Sequence, residues 1–394
     1  MKKILQNQLK VITENTVDCI SQEELLKKLE LSLKKKQPLR LKIGFDPTAR
    51  DIHLGHTVLL RKLRKIQDLG HIVYFIIGDF TARIGDPSGR SELRPVLSIE
   101  EIKDNAKTYT TQAFKILDRN KTKIFFNSEW FSRMSASEFV GLLSRYTVAR
   151  MMERDDFSQR LKSNKPLSIQ EFVYPIIQGY DSVMVEADIE FGGTDQKFNL
   201  IVGRHLQESF GQPPQVVITL PLLVGLDGQN KMCKSLGNYV GIMESPKSMF
   251  GKLMSISDEL MWEYFRLLTD VGVEKVKNMH PKEAKLLLAE TIVQDYSSSS
   301  EAKKAREEFE RVFSRKGLPD DIKECIVQTE EVDIIELLYR EGCISTKNEA
   351  RRLLKQRGIS CNNQPLLSQK LSIPSEGVIL KIGKRRFLKV KRSR

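Results

Sequence analysis

Hydrophobic and polar positions change rhythm several times along the 394 residues, and each change predicts an element. Residues 2–36 place apolar side chains at helical spacing, which predicts two helices. From Leu39 to Asp46 the period drops to two. Leu39, Leu41, Ile43 and Phe45 share one face, and Arg40, Lys42, Gly44 and Asp46 share the other, as in a strand. Val58, Leu59, Leu63, Ile66 and Leu69 then recur at helical spacing and stop at Gly70. Ile72 to Ile77 reads IVYFII, a continuous apolar run suited to a parallel strand covered on both faces. Strand, helix, strand is a βαβ unit. The fold class expected is therefore α/β, with a doubly wound, Rossmann-like parallel sheet.

Helices and strands keep alternating to about residue 226, with a helix over Phe198–Phe210 and a buried strand over Val216–Val224. From 246 to 316 the pattern is helical, and the run Ser297–Ser300 reads as a loop. Gly317-Leu318-Pro319 punctuates a boundary. Three regions are expected: 1–226, 227–320 and a small α+β module over 332–394.

Charge sharpens the last of these. The chain carries 64 Lys and Arg against 51 Asp and Glu, a net of +13. From Val332 to Arg394 there are 15 basic and 5 acidic residues, so 15 − 5 = +10 sits in that module. Basic excess concentrated in this way indicates a polyanionic partner. The five cysteines, Cys19, Cys233, Cys325, Cys343 and Cys361, form no Cys-x-x-Cys pair, and only five histidines accompany them. A zinc site or disulfide framework is not expected, and free thiols fit a cytoplasmic location. The N-terminus lacks the apolar core of a signal peptide, and no apolar run is of membrane-spanning length.

Two motifs carry chemistry. His53-Leu54-Gly55-His56 lies between the first strand and its helix. A helix start offers unpaired N–H groups and a positive dipole end to a phosphate. Gly55 lets a ligand approach the backbone, and imidazole N–H groups donate to phosphoryl oxygens without a full charge. Asp46-Pro47-Thr48 stands at the mouth of the strand, where open α/β sheets bind ligands. The second motif, Lys231-Met232-Cys233-Lys234-Ser235, is a loop between Gly228 and Gly237. Its ammonium groups suit a departing pyrophosphate, and glycines at both ends suit opening and closing. Taken singly, the first motif reads more readily as a capping or packing pair and the second as a solvated basic loop.

As a pair, HLGH and KMCKS resemble the two signatures of the class I aminoacyl-tRNA synthetases. Cys233 replaces the usual serine, while Lys231 and Lys234 are retained. In the segment FVYPIIQGYD, Tyr174, Gln178 and Asp181 fall on one helical face. Such a polar stripe must be satisfied, either by an amino-acid ligand or by an internal network joining two regions. GFDPTARDIHLGH (44–56), IGDPSGR (84–90) and GGTDQKFN (192–199), with the stripe, resemble the bacterial tyrosyl-tRNA synthetases through almost the whole chain.

The resemblance implies a division of labour. Tyr174, Gln178 and Asp86 would hold the tyrosine ammonium, Asp181 its hydroxyl, and Gln196 would lie near its carboxylate. Gly44, Asp46, Thr48, His53, Gly55, His56 and Asp195 would surround ATP and the adenylate ribose. Catalysis would fall to His53, His56, Thr48, Lys231 and Lys234. Many family members place a tyrosine on the first strand against the substrate hydroxyl, and Lys42 stands there in this chain, as in a second bacterial subgroup. Region 1–226 would then be the catalytic domain with an inserted dimerisation segment, and 227–320 the mobile loop with an anticodon-recognition domain.

The C-terminal module resembles an S4-type RNA-binding domain. Ser345 is expected to cap a helix displaying Arg351, Arg352, Lys355 and Arg357, and a basic strand containing Lys384 and Arg385 ends the chain. Lys and Arg there would pair with RNA phosphates. The expected activity is tyrosine--tRNA ligase: ATP, with Mg²⁺ but no dedicated protein metal cage, activates tyrosine, and tRNA(Tyr) accepts it. A homodimer is implied by the resemblance. Two rivals are the same chemistry with tryptophan, and an RNA-binding protein on a retired synthetase scaffold. The stripe and the S4-like tail count against the first, and both intact motifs against the second.

Overall fold

The computed structural model describes residues 1–48, 51–88, 98–314, 322–362, 364–374, 376–383 and 386–392. The expected boundary at 317–319 lies outside them. The chain forms two compact units, 1–305 and 306–394.

The first unit opens with α1 (Lys2–Thr13), β1 (Asp18–Ile20) and α2 (Gln22–Lys35). The helical pattern of residues 2–36 gives no hint of β1. Its three residues exist as a strand only because they pair with a segment some 200 residues away, Asp18 opposite Thr219, and no local pattern announces that. Next come β2 (Arg40–Phe45), α3 (Leu54–Asp68), β3 (Ile72–Ile77), α4 (Ile99–Ala113) and β4 (Thr122–Phe126). Four short helices follow: α5 (Ser128–Phe131), α6 (Ala136–Leu143), α7 (Val148–Met151) and α8 (Asp155–Lys162). Then α9 (Ile169–Met184), β5 (Ile189–Gly193), α10 (Lys197–Ser209) and β6 (Val216–Leu220) complete the sheet.

Across the sheet the order is β1-β6-β5-β2-β3-β4. Five strands are parallel and β1 is the antiparallel edge. The doubly wound expectation holds. The chain winds outward from β2 to β4, then crosses back to place β5 on the other side of β2. The order reverses between β2 and β5, and the carboxyl ends of those strands open onto a crevice. β6 stops at Leu220 rather than Val224, because Pro221 has no N–H to donate to a ladder.

Helices α11 (Pro246–Leu253), α12 (Asp258–Leu268), α13 (Val273–Val276), α14 (Pro281–Tyr296) and α15 (Ser299–Phe309) follow. α12 packs on α3 and α14. The Ser297–Ser300 run is only half loop: Ser298 accepts from Glu301 N at 3.2 Å at the start of α15.

The second unit contains β7 (Glu324–Val327), β8 (Glu331–Asp333), α16 (Ile334–Arg340), α17 (Lys347–Lys355), β9 (Ile359–Cys361), β10 (Gln364–Pro365), β11 (Lys370–Ser372), β12 (Val378–Ile382) and β13 (Arg386–Arg392). Its main sheet runs β10-β9-β12-β13-β7. β7 precedes residue 332 yet pairs in parallel with β13, so the folded module starts earlier than its charge pattern suggests. Ile334, Leu338, Ile359, Leu380, Leu388 and Val390 form its core. Thr346, not Ser345, caps α17: its side chain accepts from Glu349 N at 3.2 Å. Thr346 is the position three residues before Glu349, the spacing a capping pattern needs. Among the described residues, no helix is long and apolar enough to cross a membrane.

Candidate active site

His53 is the N-cap of α3, and its Nδ1 accepts from Gly55 N at 3.2 Å. His56 reciprocates, with Nδ1 accepting from His53 N, also at 3.2 Å. The two rings stack with centroids 3.8 Å apart. With Nδ1 occupied as an acceptor, each neutral ring carries its proton on Nε2. Both are kept neutral. Burial, with Lys234 adding to it, lowers His53 to about 3, and burial with His53 and Lys234 lowers His56 well below its ordinary value. The capping alternative and the functional one are thus the same geometry: the cap fixes the tautomer and leaves two Nε2–H donors. Gly55 is required, since a methyl there would fall 2.9 Å from the His53 ring.

The lysine loop comes to this helix start through a segment that no motif marks. Leu54 N donates to Val240 O at 3.0 Å, Ile242 N donates to Ile52 O at 3.0 Å, and His53 bridges Gly241. The loop itself is folded on Asn238. That side chain accepts from Cys233 N at 2.8 Å and donates to Asp227 at 2.9 Å and to Lys231 O at 3.1 Å. Gly228 and Gly237 have φ of +72° and +66°, a region that favours glycine. Lys231 pairs with Asp195 at 2.7 Å, and Lys234 Nζ lies 5.9 Å from the centre of the Tyr109 ring.

The polar stripe of α9 divides among four side chains, Asp46, Asn199, Trp130 and Asn127. The Tyr174 hydroxyl donates to Asp46 at 2.7 Å, and Thr81 donates to the other Asp46 oxygen at 2.6 Å. Gln178 accepts from Asn199 at 3.0 Å. Asn199 also donates to Gln196 at 3.1 Å, and Gln196 donates to Asp86 at 2.8 Å. Asp181 accepts from Trp130 Nε1 at 3.0 Å and from Asn127 at 3.3 Å. Burial raises Asp181 to about 7, against the opposing pull of Lys42 and of these two donors. Gly44 is exposed, and a methyl on it would meet nothing within 4 Å, so the backbone at the end of β2 borders open space. Thr48 lies beside Asp46, its N–H donating to the Asp46 carbonyl at 2.7 Å.

These groups converge from the carboxyl ends of β2, β3, β4 and β5, the start of α3, one face of α9 and the loop after β6. Residues 34–314 match the family described as tRNA synthetases class I (W and Y). The chain is 51% identical over 390 residues to the tyrosine--tRNA ligase of Aquifex aeolicus, covering 98% of each. It is 48% identical over 395 residues to that of Thermotoga maritima, covering 98% of this chain and 97% of the relative. The chain belongs to the tyrosyl-tRNA synthetases. Among solved structures, the tyrosyl-tRNA synthetase of Archaeoglobus fulgidus shares the fold with a TM-score of 0.62 at 22% identity, over 77% of this chain and 99% of that one.

Several groups in this synthetase site carry no signal in the sequence. Asn127 and Trp130 on Asp181 and Thr81 on Asp46 are set by tertiary packing, while Asn199 ends the GGTDQKFN segment but takes its place at the centre of the amide network only in the fold. Arg154 is also buried and reaches Ser88 at 3.3 Å and Asn199 at 3.4 Å. One signal does exist: Glu190 is a carboxylate within the apolar strand IEFGG, as Lys42 is an ammonium within RLKIGF. In the second unit, Arg351, Arg352, Lys355 and Arg357 lie on or just after α17, and Arg351, Arg352, Lys355 and Arg357 are all exposed. Lys384 and Arg385 lie outside the described residues.

Proposed function

We propose that this crevice activates tyrosine with ATP and that the second unit contributes to holding the tRNA acceptor. The observation that carries the reading is the stitching of residues 240–242 onto 52–54, which presents two neutral histidines and two lysines to one space beside the α9 stripe. Tyrosine would enter with its hydroxyl toward Asp181 and its ammonium toward Asp86, Gln178 and Tyr174. Gln196 would face its carboxylate. ATP would lie over the open backbone at Gly44, with its ribose near Asp195 and its phosphates over Asp46, Thr48, Gly55 and the histidines.

The tyrosine carboxylate then attacks the α-phosphorus, and the bond to the bridging oxygen of pyrophosphate breaks. Nε2–H of His53 and His56, with Lys231 and Lys234, stabilises charge as it develops on phosphoryl oxygens. No side-chain nucleophile is needed; positioning and charge stabilisation carry the step. Lys231 must leave Asp195 to reach a phosphate, which couples loop movement to ATP entry. Mg²⁺ would arrive on the triphosphate. In the second step the terminal ribose hydroxyl of tRNA(Tyr) attacks the tyrosyl carbonyl and AMP departs. Arg351, Arg352, Lys355 and Arg357, and by sequence Lys384 and Arg385, would meet RNA phosphates. A cytoplasmic homodimer completes the proposal.

The test is amino-acid-dependent exchange of pyrophosphate with ATP. Tyrosine alone should support it. Exchange driven by tryptophan, or none with any amino acid, would overturn the reading.

A further inference from the structure

Lys42 occupies the β2 position from which a tyrosine would reach the substrate hydroxyl, yet it is wholly buried. Its Nζ pairs with Glu190 at 2.8 Å, and Glu190 is its cross-strand partner on β5. The same ammonium donates to Gln178 O at 2.9 Å and to Ser182 Oγ at 2.7 Å. Those two acceptors bracket the single turn of α9 that carries Asp181. Glu190 is held in turn: Ser182 donates to it at 3.0 Å, and the Gln215 amide donates to it as well. The packing around these groups is close. A methyl on Gly203 would fall 2.9 Å from Ser182 Oγ and 2.8 Å from the Gln215 amide nitrogen, and one on Gly179 would fall 2.9 Å from Gly203 N.

We propose that the buried Lys42–Glu190 pair sets amino-acid specificity, clamping the Gln178–Ser182 turn so that the Asp181 carboxylate is fixed against the substrate hydroxyl. This rests on the tyrosine-activating reading. A buried ion pair is a poor stabiliser compared with packed apolar groups. Two apolar residues would serve the sheet as well, but they could not bind both a helix carbonyl and a hydroxyl one turn apart. Lys42 also opposes the neutralisation of Asp181, whose other neighbours are Glu190 from β5, Tyr174 from its own helix and the neutral donors Trp130 and Asn127. With no tyrosine on β2 to share the task, discrimination against phenylalanine depends on one acceptor being where the hydroxyl arrives. Lys42 and Glu190 are therefore positioning residues.

The experiment compares pyrophosphate exchange with tyrosine and with phenylalanine in the full chain. Lys42→Met combined with Glu190→Gln removes both charges and leaves a side-chain carbonyl at position 190 to accept from Ser182 and Gln215. Ser182→Ala removes one strut and buries no charge, so it decides the matter if the double variant does not fold. The expected result is a KM for ATP within about twofold of the parent and a tyrosine-over-phenylalanine ratio of kcat/KM lowered at least about tenfold in the double variant. Ser182→Ala should lower that ratio by several-fold. A merely structural pair would slow both amino acids alike, and an unchanged ratio in the folded variants overturns the proposal. Failure of the parent chain to exchange with tyrosine would instead overturn the reading beneath it.

Discussion

Asp181 is the residue whose environment asks most of it. Its carboxyl is buried and rises to about 7, while the unfolded chain ionises near 3.8. Between those values the folded protein holds a proton that the unfolded chain releases, so this group lowers stability as pH rises from about 4 to 7. The slope is roughly 1.4 kcal/mol per pH unit at most. Asp181→Asn removes it. The melting temperature of the variant relative to the parent should therefore climb from pH 5 to pH 8; a constant difference would show that Asp181 titrates normally. The histidines give the opposite case. They stay neutral, and their proposed function is donation from Nε2. His56→Asn keeps an acceptor for His53 N but withdraws the ring, so kcat for adenylate formation should fall about a hundredfold with little change in KM for tyrosine. Rapid-quench measurement of adenylate checks this.

Among elements, the lysine loop depends on one side chain. Asn238 ties the backbone at Cys233 and Lys231 to Asp227. Asn238→Ala removes those three hydrogen bonds. It should lower kcat for tyrosine activation about tenfold or more, with KM for tyrosine nearly unchanged, since no bond of Asn238 reaches the α9 stripe. A rise in that KM instead, with kcat intact, would separate the loop from the chemistry. How far these elements can be read from sequence varies with the range of the forces that make them. The β2-α3-β3 unit is legible because its apolar rhythm is local and continuous. β1 is not, because three residues become a strand only by pairing with β6. Ser345 is a good cap by residue type, whereas the Thr346–Glu349 spacing decides. In the site, the histidines, lysines and stripe stand in motifs. Asn127 and Trp130 do not, since an amide or indole in an ordinary segment gains its role from what packs against it, and Asn199 closes the GGTDQKFN segment but shows its role only where Gln178 and Gln196 meet it. Lys42 is visible as an oddity, but its direction is settled only by Glu190 across the strand.

For the whole molecule, charge is partitioned. The stretch from Val332 to Arg394 carries +10 of the +13, while the crevice of the first unit sets the carboxylates of Asp46, Asp86, Asp181 and Asp195 beside Lys231 and Lys234. Replacing Arg351, Arg352 and Lys355 together by Glu alters three positions on α17 outside the core of that unit. Tyrosine activation should be unaffected. Charging of tRNA should weaken by about tenfold or more, with a shallower dependence on salt because fewer counterions are released. Aminoacylation measured across a salt series distinguishes this from a loss of folding, which would reduce both reactions.

The short ladder between 52–54 and 240–242 has a mechanical consequence. It makes the stretch after β6 a tether pinned at both ends, by the sheet at Leu220 and by α3 at Val240. Between those pins the stretch closes on itself, with Met232 N donating to Leu223 O, Gly225 N to Asn230 O and Leu226 N to Asn238 O. If its lysines meet the ATP phosphates as proposed, a stretch so held cannot carry them far, and their return after each turnover is a short-range event.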